Sequence, residues 1–488
     1  MAVLVALVSF LAACSPAPKA VPAGRVLVVG ADGLEWSVLR PLLAQGKCPN
    51  LRALMERGSF GHLGTMTPTL SPILWTTIAT GQMPERHGIQ GFTDADTQQY
   101  TSASRRVRAV WNVTSLHDVP TNVFGWWITW PAEELCGTMV SGASATALVD
   151  VNWKPSILPD VPDQVFPAER TAEVMEIVKR ASSDAEVARL AQRIFGAQDA
   201  DLGPKEKELV QQTAWSIAAD ATYAEVACAM MKAHPAALNL VYFGGTDVVA
   251  HRFWRYYEPS AFQWPARPDT EALWQKAAPG SKPLAELLGG PRAASALARA
   301  IPNYYEWFDE LLGKLIASAG PDVNVVVISD HGFHAFSTEA PNAKLITGHH
   351  LDGPPGVIVA AGPSFARQDG VEAFVKGTNV VPHGNVLSIM PTLLALMGIP
   401  SSREFPERAL GDLLTGAAHE HGALELVPSH DAGFRPAKKL DVSPAMEQAF
   451  RERFGSLGYI GLDDAGTETP RLVDPKRFDP GAKPPDKE

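Results

Sequence analysis

The sequence predicts an α/β protein, a sandwich in which helices cover both faces of a mostly parallel central sheet. Three observations carry that expectation. Four apolar, β-branched runs, Arg25–Gly33, Leu238–Asp247, Val323–Gly332 and Gly356–Pro363, are continuous rather than alternating, as strands covered on both faces are. Helix-like segments lie between or beside them, at 48–58, 168–195, 210–233, 294–319 and 385–398. Finally, three of the four runs end in an acid: Asp32, Asp247 and Asp330. Ligands of open α/β sheets bind beyond the carboxyl ends of the strands, so these acids are expected to converge. Three converging carboxylates repel one another and call for a counter-charge.

In chain order, residues 1–24 stand outside the fold. The apolar run Ala2–Ala13 is too short for a membrane span, which takes about 20 residues, and suits the h-region of a secretory signal. The "LAAC" that ends at Cys14 resembles a bacterial lipoprotein box. That resemblance implies cleavage after residue 13 and lipid on Cys14, with Ser15 favouring the periplasmic face of an outer membrane. Residues 14–24 then read as a Pro/Ala tether. The catalytic domain is expected over 25–465, interrupted by insertions at about 150–203 and 253–291 that cap the site. The charged, proline-rich 466–488 reads as a disordered tail. "FGWWITWPAE" (124–133) reads as a buried strand and turn, with an aromatic substrate wall as the sharper alternative.

Composition narrows the function. With 46% apolar and 19% charged residues, the 488-residue chain is a soluble globular type able to bury a large core. Its 42 Lys and Arg against 53 Asp and Glu give a net charge of −11, which argues against a dedicated nucleic-acid binder. A phosphate-bearing substrate stays open if cations supply the positive charge. Beyond Cys14, Cys48, Cys136 and Cys228 allow one disulfide at most; free thiols are the alternative.

The chemistry gathers at strand ends. Asp247 and His251 are four apart and would share one side of a helix's first turn. Asp330 and His331 are adjacent, and His349 and His350 precede the last strand. With Asp32 they make an Asp/His set without cysteine, suited to Zn²⁺ or a similar ion. The stretch Thr67–Gly81, "TPTLSPILWTTIATG", adds a row of hydroxyls. Ser71 before Pro72 is expected at a helix N-cap, facing N–H groups that favour a phosphate. Alone, Ser71 reads as a cap; beside the ligand set it reads as a nucleophile, with Thr69 the next candidate.

The order of these pieces, Asp32, a hydroxyl before "TG…PERHGI", "TDVVAH", "SDHG" and "GHH", resembles the alkaline phosphatase superfamily, in its type I phosphodiesterase and nucleotide pyrophosphatase branch. The resemblance spans 25 to about 400. It implies an α/β/α fold and two divalent ions, Zn²⁺ by expectation. One would be held by Asp247, His251 and His350. The other would be held by Asp32, Asp330, His331 and the nucleophile, which the family spacing from Thr80 puts at Ser71. His350 is preferred to His349 on the family's Gly-Xaa-His form. Ile73 and Trp75 depart from the Pro and Arg of sulfatases, and Leu74 replaces a pyrophosphatase Asn. Asn112 and Arg252 are the candidate substrate contacts, a solvated face being the alternative for Arg252. The implied function is hydrolysis of phosphate esters, diesters first. A phosphomonoesterase or headgroup transferase is the alternative, and an inactive surface-binding lipoprotein is the alternative of another class.

Overall fold

The computed structural model describes residues 20–92, 100–142, 162–196, 199–262, 269–336, 347–437 and 469–480. In chain order its strands are β1 (Val26–Ala31), β2 (Gly58–Gly64), β3 (Met66–Thr67), β4 (Thr121–Phe124), β5 (Gly137–Val140), β6 (Val165–Phe166) and β7 (Leu238–Phe243). β8 (Asn324–Ile328), β9 (His334–Ala335), β10 (Gly348–His349), β11 (Gly356–Ala361), β12 (Pro382–Asn385) and β13 (Arg471–Leu472) follow. Nine of them form one sheet in the order β12-β2-β11-β8-β1-β7-β4-β5-β6. From β8 to β5 the neighbours are parallel; β11 runs antiparallel to both β8 and β2, and β6 antiparallel to β5.

The four apolar runs are the strands β1, β7, β8 and β11. Their residues alternate between two cores, which explains why none reads as amphipathic. Val26 and Val28 face one core, and Leu27, Val29 and Ala31 the other. The first core is closed by helices Ser71–Thr80, Val110–Leu116 and Ile389–Leu396. The second is closed by Trp36–Ala44, Pro49–Arg57, Pro204–Ala233, Gly245–Tyr257 and Ala300–Ala319. This is the α/β/α architecture the sequence predicts, with the two faces buried by different helix sets.

The stretch 150–203, described from residue 162, supplies the edge strand β6 and the helices Thr171–Ala181 and Asp184–Phe195, whose Val174, Ile177, Leu190 and Ile194 join the second core. Within 253–291, Trp274 and Leu284 form a small core of their own. Residues 469–480, inside the expected disordered tail, lie against the domain: β13 pairs antiparallel with β3, and Val473 N–H donates to Thr65 O at 2.9 Å. Among the described residues no helix is long and apolar enough to cross a membrane. Cys14 and the apolar run before it lie outside the described residues. Cys48, Cys136 and Cys228 are all free thiols.

Candidate metal centre

β8, β1 and β7 are adjacent and parallel, so the residues that follow them meet at one edge of the sheet. Asp32 follows β1 directly, Asp330 lies just beyond β8, and Asp247 sits in the first turn of the helix after β7. Two side-chain groups result. In the first, His331 Nε2 lies 3.3 Å from Asp32 Oδ1 and 3.5 Å from Asp330 Oδ2. In the second, Asp247 Oδ1 is 3.4 Å from His251 Nε2 and 3.6 Å from His350 Nε2, and the two Nε2 atoms are 3.2 Å apart. The rings of His331 and His350 stack at 3.7 Å, so the groups adjoin. The six expected Asp and His side chains thus lie together, three in each group, and His350 rather than His349 is the imidazole beside Asp247 and His251.

The donor set fits divalent cations. Asp32, Asp330, His331 and His350 are essentially inaccessible to solvent. Asp32 Oδ1, Asp330 Oδ2 and His331 Nε2 face one another without a hydrogen-bond partner, an arrangement that is costly unless a cation joins them. The Nδ1 atoms of His251 and His331 each donate to a backbone carbonyl at 2.9 Å, of Gly348 and Gly332 respectively. That bond turns the Nε2 lone pair inward, the usual support of a ligating histidine.

The electrostatics point the same way. Burial and the Asp32 charge hold the Asp330 carboxyl well above its ordinary value. Burial alone would lower His331, but Asp330 and Asp32 push it up to about 10. His251, lacking such a net pull, is depressed by burial to about 3. Burial would raise Asp32, yet the adjacent His331, with the hydrogen bonds from Tyr242 and Trp75, brings it below its usual range. The pocket demands positive charge on its carboxylate side and neutral nitrogen ligands on the other.

Ser71 is buried and opens the helix Ser71–Thr80, but it is not the N-cap the sequence suggested. Leu70 holds that place, its carbonyl accepting the first intrahelical bond from Leu74 N–H, and no side chain caps the helix. The serine hydroxyl is therefore not spent on capping. Its neighbours are tied to both groups: Thr69 Oγ1 donates to His350 O at 2.7 Å, and Trp75 Nε1 to Asp32 Oδ2 at 3.0 Å. Tyr242 OH also donates to Asp32 Oδ2, at 2.6 Å, so this oxygen is doubly held while Oδ1 turns to His331. Trp75 packs edge-on against Tyr242 and Trp126, at 5.0 and 5.1 Å between centroids. The tryptophan segment thus braces the floor beneath Asp32.

Asn112 and Arg252 are the expected substrate contacts. Asn112 serves a local network: its Oδ1 accepts from Ala109 N–H at 3.0 Å and from Arg105 Nη2 at 2.8 Å, and its Nδ2 donates to Glu133. A side chain committed at both ends to a helix start and a buried ion pair is not available to a substrate oxygen. Arg252 is buried, not solvated, and its charge helps depress His251. His87 closes a turn, its Nδ1 accepting from Ile89 N–H and its Nε2 donating to Thr77 Oγ1, both at 3.1 Å.

Glu35 and Ser329 escaped sequence reasoning. Glu35 caps the helix Trp36–Ala44 through Ser37 N–H and accepts from Phe333 N–H at 2.9 Å, joining the loops after β1 and β8. Ser329 Oγ accepts from Leu34 N–H and donates to His331 O. A Glu immediately before the helix was the available signal for the first; a lone Ser at a strand end offers none.

A family model described as type I phosphodiesterase / nucleotide pyrophosphatase matches residues 26–359. Among solved structures, a 2-O GAG sulfatase is 13% identical, with 83% of this chain and 76% of that chain covered and a TM-score of 0.47. Murine ectonucleotide pyrophosphatase / phosphodiesterase 5 is 14% identical, covering 80% of this chain and 100% of its own, with a TM-score of 0.41. Phosphonoacetate hydrolase from Sinorhizobium meliloti is 16% identical over 64% of this chain and 57% of its own, with a TM-score of 0.34. No curated protein matches the chain significantly.

Proposed function

The chain belongs to the type I phosphodiesterase / nucleotide pyrophosphatase family and is a phosphoric ester hydrolase; from that premise we propose that it cleaves phosphodiesters or pyrophosphates with Ser71 as nucleophile and two divalent ions, Zn²⁺ in our reading. Asp32, Asp330 and His331 with Ser71 would hold one ion, and Asp247, His251 and His350 the other. The observation that carries the reading is that Thr69 and Trp75, on either side of Ser71, are bonded one to each group.

Bound at these groups, the ions would stabilise negative charge on the phosphoryl oxygens and favour the Ser71 alkoxide. The chain's own contribution is position. Ser71 Oγ attacks phosphorus in line, an Oγ–P bond forms and the ester P–O bond breaks; water then releases the phosphoryl group from the serine. The free N–H groups at the start of the Ser71 helix favour the non-bridging oxygens. Trp75, at the place where sulfatases carry Arg, is engaged with Asp32, which argues against sulfate-ester chemistry.

Turnover of bis-p-nitrophenyl phosphate tests the assignment. Ser71→Ala should lose about a thousandfold or more in kcat/KM while retaining its metal. Full activity in that variant would remove Ser71 from the mechanism. Faster turnover of p-nitrophenyl phosphate than of the diester would move the assignment to a monoesterase. Less than one ion per chain would favour the inactive surface-binding lipoprotein.

Location belongs to the same proposal: export and lipid attachment through Cys14, on the periplasmic face of an outer membrane. Metabolic labelling with an alkyne fatty acid should mark the wild type and not Cys14→Ser. Equal labelling of the two would refute the anchor.

A further inference from the structure

The ribbon that delivers His350 carries a second pair of imidazoles. β9 and β10 run antiparallel with His334 directly opposite His349, and the two rings meet edge to face at 4.2 Å. Asp352, in the turn after His350, reaches back so that its Oδ1 lies 2.7 Å from His334 Nε2. One ligand atom from each of His334, His349 and Asp352 falls within 4.8 Å of the others.

Two details separate this trio from a surface ion pair. His334 Nδ1 donates to the Ala335 carbonyl at 3.2 Å, the same backbone support that His251 and His331 receive, so its Nε2 is presented to the cluster. His349 Nδ1 is buried and has no hydrogen-bond partner. A His334–Asp352 pair explains the 2.7 Å contact and leaves His349 outside it, whereas an ion held by all three residues takes in its imidazole.

We propose that His334, His349 and Asp352 form a third divalent-metal site, separate from the two groups around Asp32 and Asp247. Two imidazole nitrogens and one carboxylate oxygen suit a borderline transition ion such as Zn²⁺. The side chains of His334 and Asp352 are each 40% exposed, so water can complete the coordination.

The role of this ion is structural. Strands of two residues cannot hold themselves together by ladder bonds alone. Yet this ribbon must stay in register, because Gly348 O receives His251 Nδ1, Thr347 N–H donates to His251 O at 2.8 Å, and Thr69 bonds His350 O. An ion shared by His334, His349 and Asp352 cross-links the strands at their paired residues and ties in the turn that follows.

The test uses the full chain with Zn²⁺ as the probe. Crystals grown with Zn²⁺ should give an anomalous-difference peak about 2.0–2.2 Å from donors of all three residues. Folded His349→Ala and Asp352→Asn should each contain one ion fewer per chain than the wild type. A wild-type map without that peak overturns the proposal, whether or not the variants fold, and so does an unchanged metal count in both variants. Peaks at the Asp32 and Asp247 groups are scored separately, so the two-ion reading stands or falls independently.

Discussion

Trp75 and Asp32 are joined by a 3.0 Å hydrogen bond that fixes the helix beginning at Ser71 to the carboxylate at the end of β1. A neutral donor to a carboxylate contributes about 1.5–3 kcal/mol, and partners of this kind typically govern metal affinity by 10–100-fold. Trp75→Phe keeps the ring against Tyr242 and Trp126 but removes the donor. It should weaken Zn²⁺ binding and diesterase turnover by about that factor, measured by competition with a chromogenic chelator. Wild-type affinity in the variant would show that Tyr242 alone suffices.

Gly30→Ala should reach the same contact from the other side. A Cβ at position 30 would stand 2.5 Å from Trp75 Cζ3, and a six-membered ring packed between Trp126 and Tyr242 cannot step aside. Overpacking of this kind costs about 1–3 kcal/mol. The expected result is a lower urea midpoint together with reduced turnover; a variant that loses neither would mean the ring relaxes freely.

On the two-ion proposal, chelation should destabilise the fold through Asp32, Asp247 and Asp330. At free metal a thousandfold above Kd, one site contributes about 4 kcal/mol to the native state. Thermal melts with EDTA should therefore shift downward and recover on adding Zn²⁺. Asp330→Asn, which relieves the repulsion, should shift less. An EDTA-insensitive wild-type melting temperature would contradict a resident ion.

Acid should weaken the protein through His87, which is bonded to Thr77 on the Ser71 helix. Burial, then the charge of Arg105, lowers its pKa to about 3, against an ordinary 6.5. The native state thus binds fewer protons than the unfolded chain between these values. The stabilisation is complete above about 6.5 and declines as pH falls, by up to about 1.4 kcal/mol per pH unit, until about 3. Urea midpoints from pH 7 to 5 should drop for the wild type and drop less steeply for His87→Gln. Parallel slopes would assign the acid sensitivity to other groups.

Much of the centre was legible because parallel strands end at the same edge, which made Asp32, Asp247 and Asp330 neighbours before any coordinates. The four-residue spacing placed His251 beside Asp247 on the helix after β7, and the family resemblance made it a candidate ligand. β2 was invisible for a physical reason. Three of its seven residues are glycines, poor strand formers by propensity, but a Cβ at Gly58 would lie 2.2 Å from Ala360 O, and one at Gly61 2.4 Å from Val381 O. They are there so that backbones can close on either side. Asn112 misled because an amide that caps a helix start looks, in sequence, like one that could meet a ligand. The supporting bonds from Thr69, Trp75 and Tyr242 connect segments far apart in order, and no local pattern announces them.

The pairing of β13 with β3 sets a condition on biosynthesis. A nascent chain can assemble every parallel strand of the sheet before Arg471 has been translated, yet the edge of Met66–Thr67, four residues from Ser71, is still open at that moment. A premature stop codon between 437 and 469 would therefore leave a polypeptide with its nine-stranded sheet and acidic residues in place and Met66–Thr67 without its partner strand.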